Sequence, residues 1–306
     1  MLYLNDSRGR ARVKDLLGQA NHLIITALVG LDAIERGLVK SVPDELNMPW
    51  SPSSPTASAR RSRRLILDMT LIRAVDAIDI YVSASRRTPR LTQAPELRNA
   101  IDNAKLSVMG KFNAVEQFHR RRLDPRLGAL VAVMIAWRNR SVHADADDLP
   151  DERWTEIIAE NGEWYAEHFS GLSAEKLIAD FNKGQPPVFK EIGAFIRGTH
   201  KFILNLEEAQ FNALNGNEYV KDLVKYSSVG GAATSEARLQ YRMRIIQSVW
   251  GRDISDRPKA VYRFLKNAGL SETKRTEYAV DLTLVYDEIA TKTTKQIMSW
   301  LGDEGL

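Results

Sequence analysis

The sequence predicts an all-α protein, and three observations support that fold class. Apolar side chains recur every three or four residues along most of the chain, which is the spacing of a helix face. No segment shows a convincing alternation of apolar and polar residues, as a half-buried strand would. With 306 residues, 44% of them hydrophobic, the chain has enough apolar mass for a buried core.

The first predicted helix is "VKDLLGQANHLIITALVGLDAIERGL". It is expected to turn one apolar stripe inward: Val13, Leu16, Leu17, Ala20, Leu23, Ile24, Ala27, Leu28 and Leu31. A proline- and serine-rich connection, "SVPDELNMPWSPSSPTAS", follows the helix. Residues 1–59 are therefore predicted to form an N-terminal helix with its connection, and "SRRLILDMTLIRAVDAIDIYVSA" resumes the helical pattern.

Two further helices are predicted before the middle of the chain. The first, "PELRNAIDNAKLSVMGKFNAVEQFHRRRL", begins at Pro95 and should face inward at Leu97, Ile101, Leu106, Met109, Phe112, Val115 and Phe118. The second, "DPRLGALVAVMIAWRNRSVHA", has Asp124 as its N-cap and Pro125 at its first position. Its apolar positions Leu127, Leu130, Val131, Met134, Ile135 and Val142 predict the buried face.

An acidic region, residues 145–185, is expected to hold short helices and loops. The segment from Pro186 then gives an amphipathic helix, after which several further helices are predicted up to Leu306. We therefore expect a helical bundle over residues 60–212, with the acidic region as an insert, and a C-terminal helical region over residues 213–306.

Charge is distributed unevenly along the chain. Residues 57–143 contain 17 Lys and Arg against 7 Asp and Glu, whereas residues 145–183 contain 3 basic and 11 acidic side chains. A basic block of this kind suits a polyanion such as nucleic acid, but it is equally typical of a solvated, arginine-rich surface.

Several classes of protein and site are excluded or disfavoured. The chain has no cysteine, which excludes disulfides, a thiolate nucleophile and cysteine-bound zinc. The longest apolar runs, "LIITALVGL" and "LGALVAVMIAW", are too short to span a bilayer, and the N-terminus lacks signal-peptide order, so we expect a cytoplasmic protein. The acidic cluster at Asp145, Asp147, Asp148 and Asp151 lacks the glycine and distal glutamate of a calcium loop. No metal or cofactor is therefore expected.

The stretch "AWRNRSVH" ends the most apolar predicted helix with polar groups. Arg138 follows Val131 by seven residues and Met134 by four, which places a guanidinium on the buried face. Such a group needs an anionic partner or a route to solvent, and Asp76 and Asp79 on a preceding helix are the candidates.

The motif also has a geometric constraint. On a regular helix Arg138 and His143 lie about 140° apart, so they cannot grip one small anion. A working site is therefore expected at a helix end or where two copies of the chain meet.

The residues Arg138, Asn139 and His143 resemble the R-x4–6-H motif of the HEPN superfamily, in which a polar residue often follows the arginine. The resemblance covers about half the chain, from about residue 62 to residue 212. It implies a bundle of four to five helices and, in many members, a metal-independent endoribonuclease of toxin–antitoxin, phage-defence or CRISPR systems. It also implies that two protomers bring their motifs together.

RNA carries its own nucleophile, the 2′-hydroxyl, so the resemblance implies cleavage to a 2′,3′-cyclic phosphate and a 5′-hydroxyl. His143 can accept or donate a proton near neutrality, Arg138 can hold the phosphate oxygens, and Asn139 can position the phosphate or orient His143. One histidine cannot be acid and base at once, which favours a homodimer.

Four arginines are candidates for contacting RNA: Arg120, Arg121, Arg122 and Arg140. The first three could equally form a solvated helix end. Two functions therefore stay open at this point. One is an endoribonuclease, a toxin or phage-defence effector with an RNA substrate and an antitoxin or regulatory partner. The other is a catalytically inactive binding or scaffold protein whose motif supports an interface.

Overall fold

A computed structural model describes residues 1–39, 52–142, 150–229 and 234–302. These residues form fourteen α-helices and one two-stranded sheet, and the protein is 72% helical. The prediction of an all-α fold is confirmed at this level.

The chain divides into two compact units. Residues 1–10, 82–100 and 207–306 belong to unit 1, and residues 11–81 and 101–206 belong to unit 2. Unit 2 contains most of the predicted bundle, and unit 1 contains the C-terminal region. The predicted domain limits at residues 59 and 212 stay predictions.

The first nine helices include all those that lie mainly in unit 2. They are α1 (Arg8–Glu35), α2 (Pro55–Ser85), α3 (Pro95–Asn103), α4 (Val108–His119), α5 (Pro125–Val142), α6 (Glu152–Glu160), α7 (Gly162–His168), α8 (Ala174–Asn182) and α9 (Phe189–Phe211). The remaining five are α10 (Gly216–Ser227), α11 (Ser235–Trp250), α12 (Arg257–Asn267), α13 (Thr283–Thr291) and α14 (Thr294–Leu301).

The sheet lies in unit 1 and was not predicted. Strands β1 (Tyr3–Leu4) and β2 (Val280–Asp281) pair antiparallel, with Tyr3 opposite Asp281 and Leu4 opposite Val280. Strands of two residues are too short to produce an alternating pattern, so the sequence carries no signal for them. Leu2 and Leu4 pack into the apolar core of unit 1, around the fully buried Trp250.

Helix α5 is the most deeply buried helix of unit 2. Every residue from Leu127 to Trp137 is buried, and α5 packs against α4 and α6. Asp124 accepts a hydrogen bond from the Arg126 amide at 2.9 Å, and the helix begins at Pro125, which confirms both predictions. The predicted inward positions before Trp137 are buried, but Val142 is 48% exposed, so its assignment to the buried face was wrong.

The long helix predicted from Pro95 is two helices. Ser107 is the N-cap of α4 and accepts from the Gly110 amide, and Lys105 has a positive φ of 51°. These two residues end one helix and start the next, because a serine at an N-cap competes with continued helical hydrogen bonding. As a result Leu106 is 93% exposed and Phe118 is 44% exposed, both contrary to prediction.

Helix α1 buries a narrower stripe than predicted. Val13, Leu17, Ile24 and Leu28 are buried, whereas Leu23 is 66% exposed and was wrongly assigned to the stripe. By length and composition alone α1 would be able to cross a membrane, and 17% of its most apolar window is buried. One such helix near the N-terminus is weak evidence of a membrane span, since core helices and signal sequences meet the same criterion.

Candidate active site at the exit of helix α5

The motif lies where α5 leaves the core of unit 2. The residues up to Trp137 are buried, Arg138, Asn139 and Arg140 are half-buried, and the following two residues are exposed. This burial pattern explains why so apolar a helix ends in charged groups, because those groups lie at the boundary between core and solvent. His143 follows Val142 in the sequence and lies outside the described residues, as do Asp145, Asp147 and Asp148.

Arg138 lies close to Asp76 of α2. Burial raises the pKa of the Asp76 carboxyl, the charges of Arg73 and Arg138 act to lower it, and Asp79 acts to raise it. Because the net shift is upward, the two arginines only partly offset the loss of hydration at this carboxylate. Asp76 is thus an acidic neighbour of Arg138 and one of the two acids that the sequence offered, and its role at the site stays a prediction.

The Nε atom of Arg138 is buried and donates no hydrogen bond to any residue in the described ranges. A buried guanidinium N–H without an acceptor carries a cost of about 1–3 kcal/mol, more for a charged group. The side chain therefore keeps an unsatisfied donor at the end of α5.

Asp79, the other predicted acid, is bound to a different base. Lys111 Nζ on α4 donates to Asp79 Oδ1 at 2.6 Å, and only 9% of the Lys111 side chain is exposed. Helices α2, α4 and α5 together bring two carboxylates and two cations into this part of unit 2. Sequence reasoning did not single out Lys111, although it lies three residues after Val108 and four before Val115, on the inward face of α4.

The last turns of α5 are fixed by α8 and by the chain that follows it. Trp137 Nε1 donates to the Gln185 carbonyl at 3.0 Å, and Arg140 Nη1 donates to the Phe181 carbonyl at 2.8 Å. The Arg140 guanidinium also lies over the Phe181 ring, 4.8 Å from its centre. Arg140, predicted to contact RNA, therefore holds the helix end in place through part of its side chain.

The structure does not bring Arg120, Arg121 and Arg122 to the motif. All three are exposed and precede Pro125, whereas Arg138 lies thirteen residues further along α5, about 20 Å at 1.5 Å per residue. Their proposed contact with RNA stays a prediction.

His119, the residue before Arg120, has an unusual environment. It is 5% exposed, and its Nε2 atom is buried without a hydrogen-bond partner in the described part of the chain. Burial and, to a smaller extent, the charge of Arg122 lower the pKa of His119 to about 4. It is therefore neutral at physiological pH.

The acidic segment supplies a helix cap. Asp151 is the N-cap of α6, and its side chain accepts from the Arg153 amide at 3.1 Å. Within the described ranges, no group of three or more His, Asp and Glu side chains is placed to hold a metal ion.

Comparison with protein families, with curated proteins and with solved structures finds no match for this chain. The resemblance to the HEPN superfamily consequently depends on the motif residues alone.

Proposed function

We propose that this protein is a metal-independent endoribonuclease that uses Arg138, Asn139 and His143. Its biological role is that of a toxin or phage-defence effector in the cytoplasm, controlled by an antitoxin or another regulatory protein. The observation that supports the proposal most directly is the buried, unsatisfied Nε of Arg138 at the solvent boundary of unit 2.

Arg138 is suited to binding the scissile phosphate. A guanidinium presents a planar fork to two phosphate oxygens, and its attraction to them is stronger where protein replaces water. The fixed end of α5 reduces the reorganisation required when charge develops on those oxygens. The arginine thereby stabilises the phosphorane formed when the 2′-hydroxyl attacks.

Asp76, Asp79 and Lys111 have a supporting role in this proposal. The charge of Arg138 acts to lower the pKa of Asp76, so the carboxylate and the guanidinium attract each other and Asp76 orients the arginine. Lys111 holds Asp79, which lies one turn from Asp76 on the same face of α2. The acids and Lys111 position Arg138, and none of them takes part in proton transfer.

Proton transfer is assigned to His143, with Asn139 positioning the phosphate or the imidazole. Its ordinary pKa range allows a histidine to accept the 2′-hydroxyl proton or to protonate the leaving 5′-oxygen. Two copies of the chain supply the two roles, which gives a 2′,3′-cyclic phosphate and a 5′-hydroxyl without a metal ion. The protein therefore acts as a homodimer.

The proposal is tested by incubating purified protein with total RNA in EDTA and identifying the end groups of the products. Arg138→Ala and His143→Ala should each lose cleavage by at least about 100-fold, in line with the loss of a general acid–base or an electrostatic stabiliser. Two matched controls, Arg197→Ala on α9 and His22→Ala on α1, replace exposed residues of the same types and should cleave like the wild type. Undiminished cleavage by either motif variant would disprove the proposal.

A second candidate is a catalytically inactive binding or scaffold protein. The exposed apolar face of α1, with Leu23 and Val29 each 66% exposed, is the observation in its favour, because such faces often mark interaction sites. This candidate expects no RNA degradation by the wild type. It also expects Arg138→Ala to change the sedimentation coefficient of the assembled protein.

A further inference from the structure

The C-terminal part of unit 1 carries a second concentration of positive charge, separate from the motif. Between Arg238 and Lys266 there are eight Lys and Arg residues and two acidic ones, Asp253 and Asp256. This stretch forms helices α11 and α12, which pack against each other. The imbalance makes this surface attractive to anions.

A cleft between these two helices concentrates part of that charge. It has a volume of about 500 Å³ and is lined by Ser248, Arg252, Asp256, Lys259, Arg263 and Asn267, with apolar side chains completing its wall. Lys259 and Arg263 are four residues apart on α12 and thus lie side by side on one face of the helix. Three cations and one carboxylate therefore surround a concave surface.

The three cations of the cleft are available to a ligand. Arg252, Lys259 and Arg263 are exposed, and none forms an ion pair with another residue in the described ranges. Neighbouring cations are engaged differently: Lys266 pairs with Glu272, and Arg257 donates to the carbonyls of Thr291 and Arg252. Arg252 Nε donates to the Ser248 carbonyl at 3.0 Å, which holds its guanidinium at the rim of the cleft.

We propose that this cleft binds the phosphate backbone of single-stranded RNA, as a substrate-holding subsite of the endoribonuclease; the identity of the anion rests on the proposed function. Arginine and lysine bind phosphates through charge-assisted hydrogen bonds, and neutralising several phosphates releases counterions from the strand. Serine and asparagine side chains at the same surface offer the uncharged donors that accompany such contacts.

The proposal is tested by binding rather than cleavage, with a fluorescein-labelled 2′-O-methyl oligouridylate, which lacks the nucleophile needed for cleavage. Fluorescence anisotropy gives the dissociation constant at several salt concentrations. The triple variant Arg252→Gln, Lys259→Gln, Arg263→Gln should bind about tenfold more weakly or worse. The slope of log K against log salt should fall by roughly 2, because each lost phosphate contact removes about 0.7 for a single strand.

Two comparisons make the test specific. The control triple variant Lys274→Gln, Arg275→Gln, Lys295→Gln removes the same charge from exposed positions of unit 1 outside the cleft, and should change affinity less than threefold. Among the described residues that line the cleft, Asp256 is the one carboxylate, and Asp256→Asn should tighten binding about twofold or more. Asp256 makes no side-chain capping hydrogen bond, so this change leaves α12 intact.

Equal weakening by both triple variants, or unchanged affinity of Asp256→Asn, would overturn the proposal. A competition experiment adds poly-glutamate of matched charge to the wild type. If it displaces the labelled oligouridylate as well as unlabelled oligouridylate does, the ligand is an acidic protein and the proposal is also overturned. Failure of the endoribonuclease proposal is recognised separately, by wild-type protein that binds the oligouridylate through the cleft yet leaves total RNA intact.

Discussion

Helices α1 and α5 are alike in sequence and differ in their surroundings. Each has a long stretch without a charged residue, residues 16–31 in α1 and residues 127–137 in α5. In α5 every residue of that stretch is buried, whereas in α1 the exposed residues include Leu23, Ile25 and Val29. Two helices of similar apolar character thus have opposite degrees of burial.

The difference shows that the packing partners of a helix decide its burial, and apolar content sets only how much can be buried. Helix α5 packs against α4 and α6, and α9 contributes Thr199, which contacts Met134. Helix α1 buries only a narrow stripe, because its outer face has no packing partner within the described part of unit 2. A helix surrounded on all sides can position a charged group at its exit with little freedom of movement, and Arg138 is in that position.

The largest expected effect on stability is seen by comparing the truncation of one leucine in α5 with that of one leucine in α1. Leu130→Ala in α5 should lower the free energy of unfolding by about 2–5 kcal/mol, because Leu130 is fully buried and leaves a cavity. Leu23→Ala in α1 should change it by no more than about 0.5 kcal/mol, because that side chain is 66% exposed. Urea unfolding of both variants measures the two effects. A comparable loss for Leu23→Ala would show that another surface covers α1 in solution.

Replacing a glycine of α9 tests the same packing from the opposite side. A Cβ at Gly198 would lie 2.7 Å from Leu130 Cδ2, and the Leu130 side chain is fully buried. Gly198→Ala should therefore cost about 1–3 kcal/mol of overpacking, partly offset by the better helix propensity of alanine. Gly193→Ala, on the same helix with nothing within 4 Å of its Cβ, is the control and should not destabilise. Equal unfolding midpoints for the two variants would contradict this account of the α5–α9 contact.

The sequence predicted the helices well where one apolar face is enough to define them, as for α5 and α9. It failed at the break between α3 and α4, because Ser107 and the positive φ of Lys105 act over two or three residues while the apolar spacing continues across them. It also failed for Leu23, since periodicity marks a possible buried face without showing how many neighbours will pack against it.

For the candidate site, local spacing was sufficient to place Arg138 on the apolar face of its helix and to name Asp76 and Asp79 as its candidate acids. Of these two, Asp76 is the one whose pKa the charge of Arg138 acts to lower. Lys111 was missed because a lysine on an apolar face usually extends its long, flexible side chain to solvent. A single lysine in such a pattern therefore does not indicate a buried ion pair. Its pairing with Asp79 is a contact between distant segments of the chain, and one sequence without its three-dimensional packing does not reveal it.

A smaller effect on stability is expected from pH, through His119, which lies just before α5. The pKa of His119 is lowered to about 4, so between pH 6.5 and pH 4 the unfolded chain binds a proton that the folded chain does not. Stability is therefore lost as the pH falls through this window, by roughly 1–2 kcal/mol between pH 7 and pH 5 from this group. His119→Gln should reduce the difference between the urea midpoints at pH 7 and pH 5. His22→Gln on the exposed face of α1 should leave it unchanged, and identical pH profiles for all three proteins would refute the assignment.

The smallest expected effect is a gain in stability, on the exposed face of α1. A Cβ at Gly30 meets nothing within 4 Å, so Gly30→Ala adds helix propensity without a clash. The expected increase in the free energy of unfolding is about 0.5–1 kcal/mol, visible as a higher urea midpoint. A lower midpoint, in protein that remains helical by circular dichroism, would contradict the prediction and would mean that a second surface approaches α1 closely at this glycine. That result would make α1 resemble α5, with its outer face packed in solution, and would favour an assembly built on the apolar residues beside Gly30.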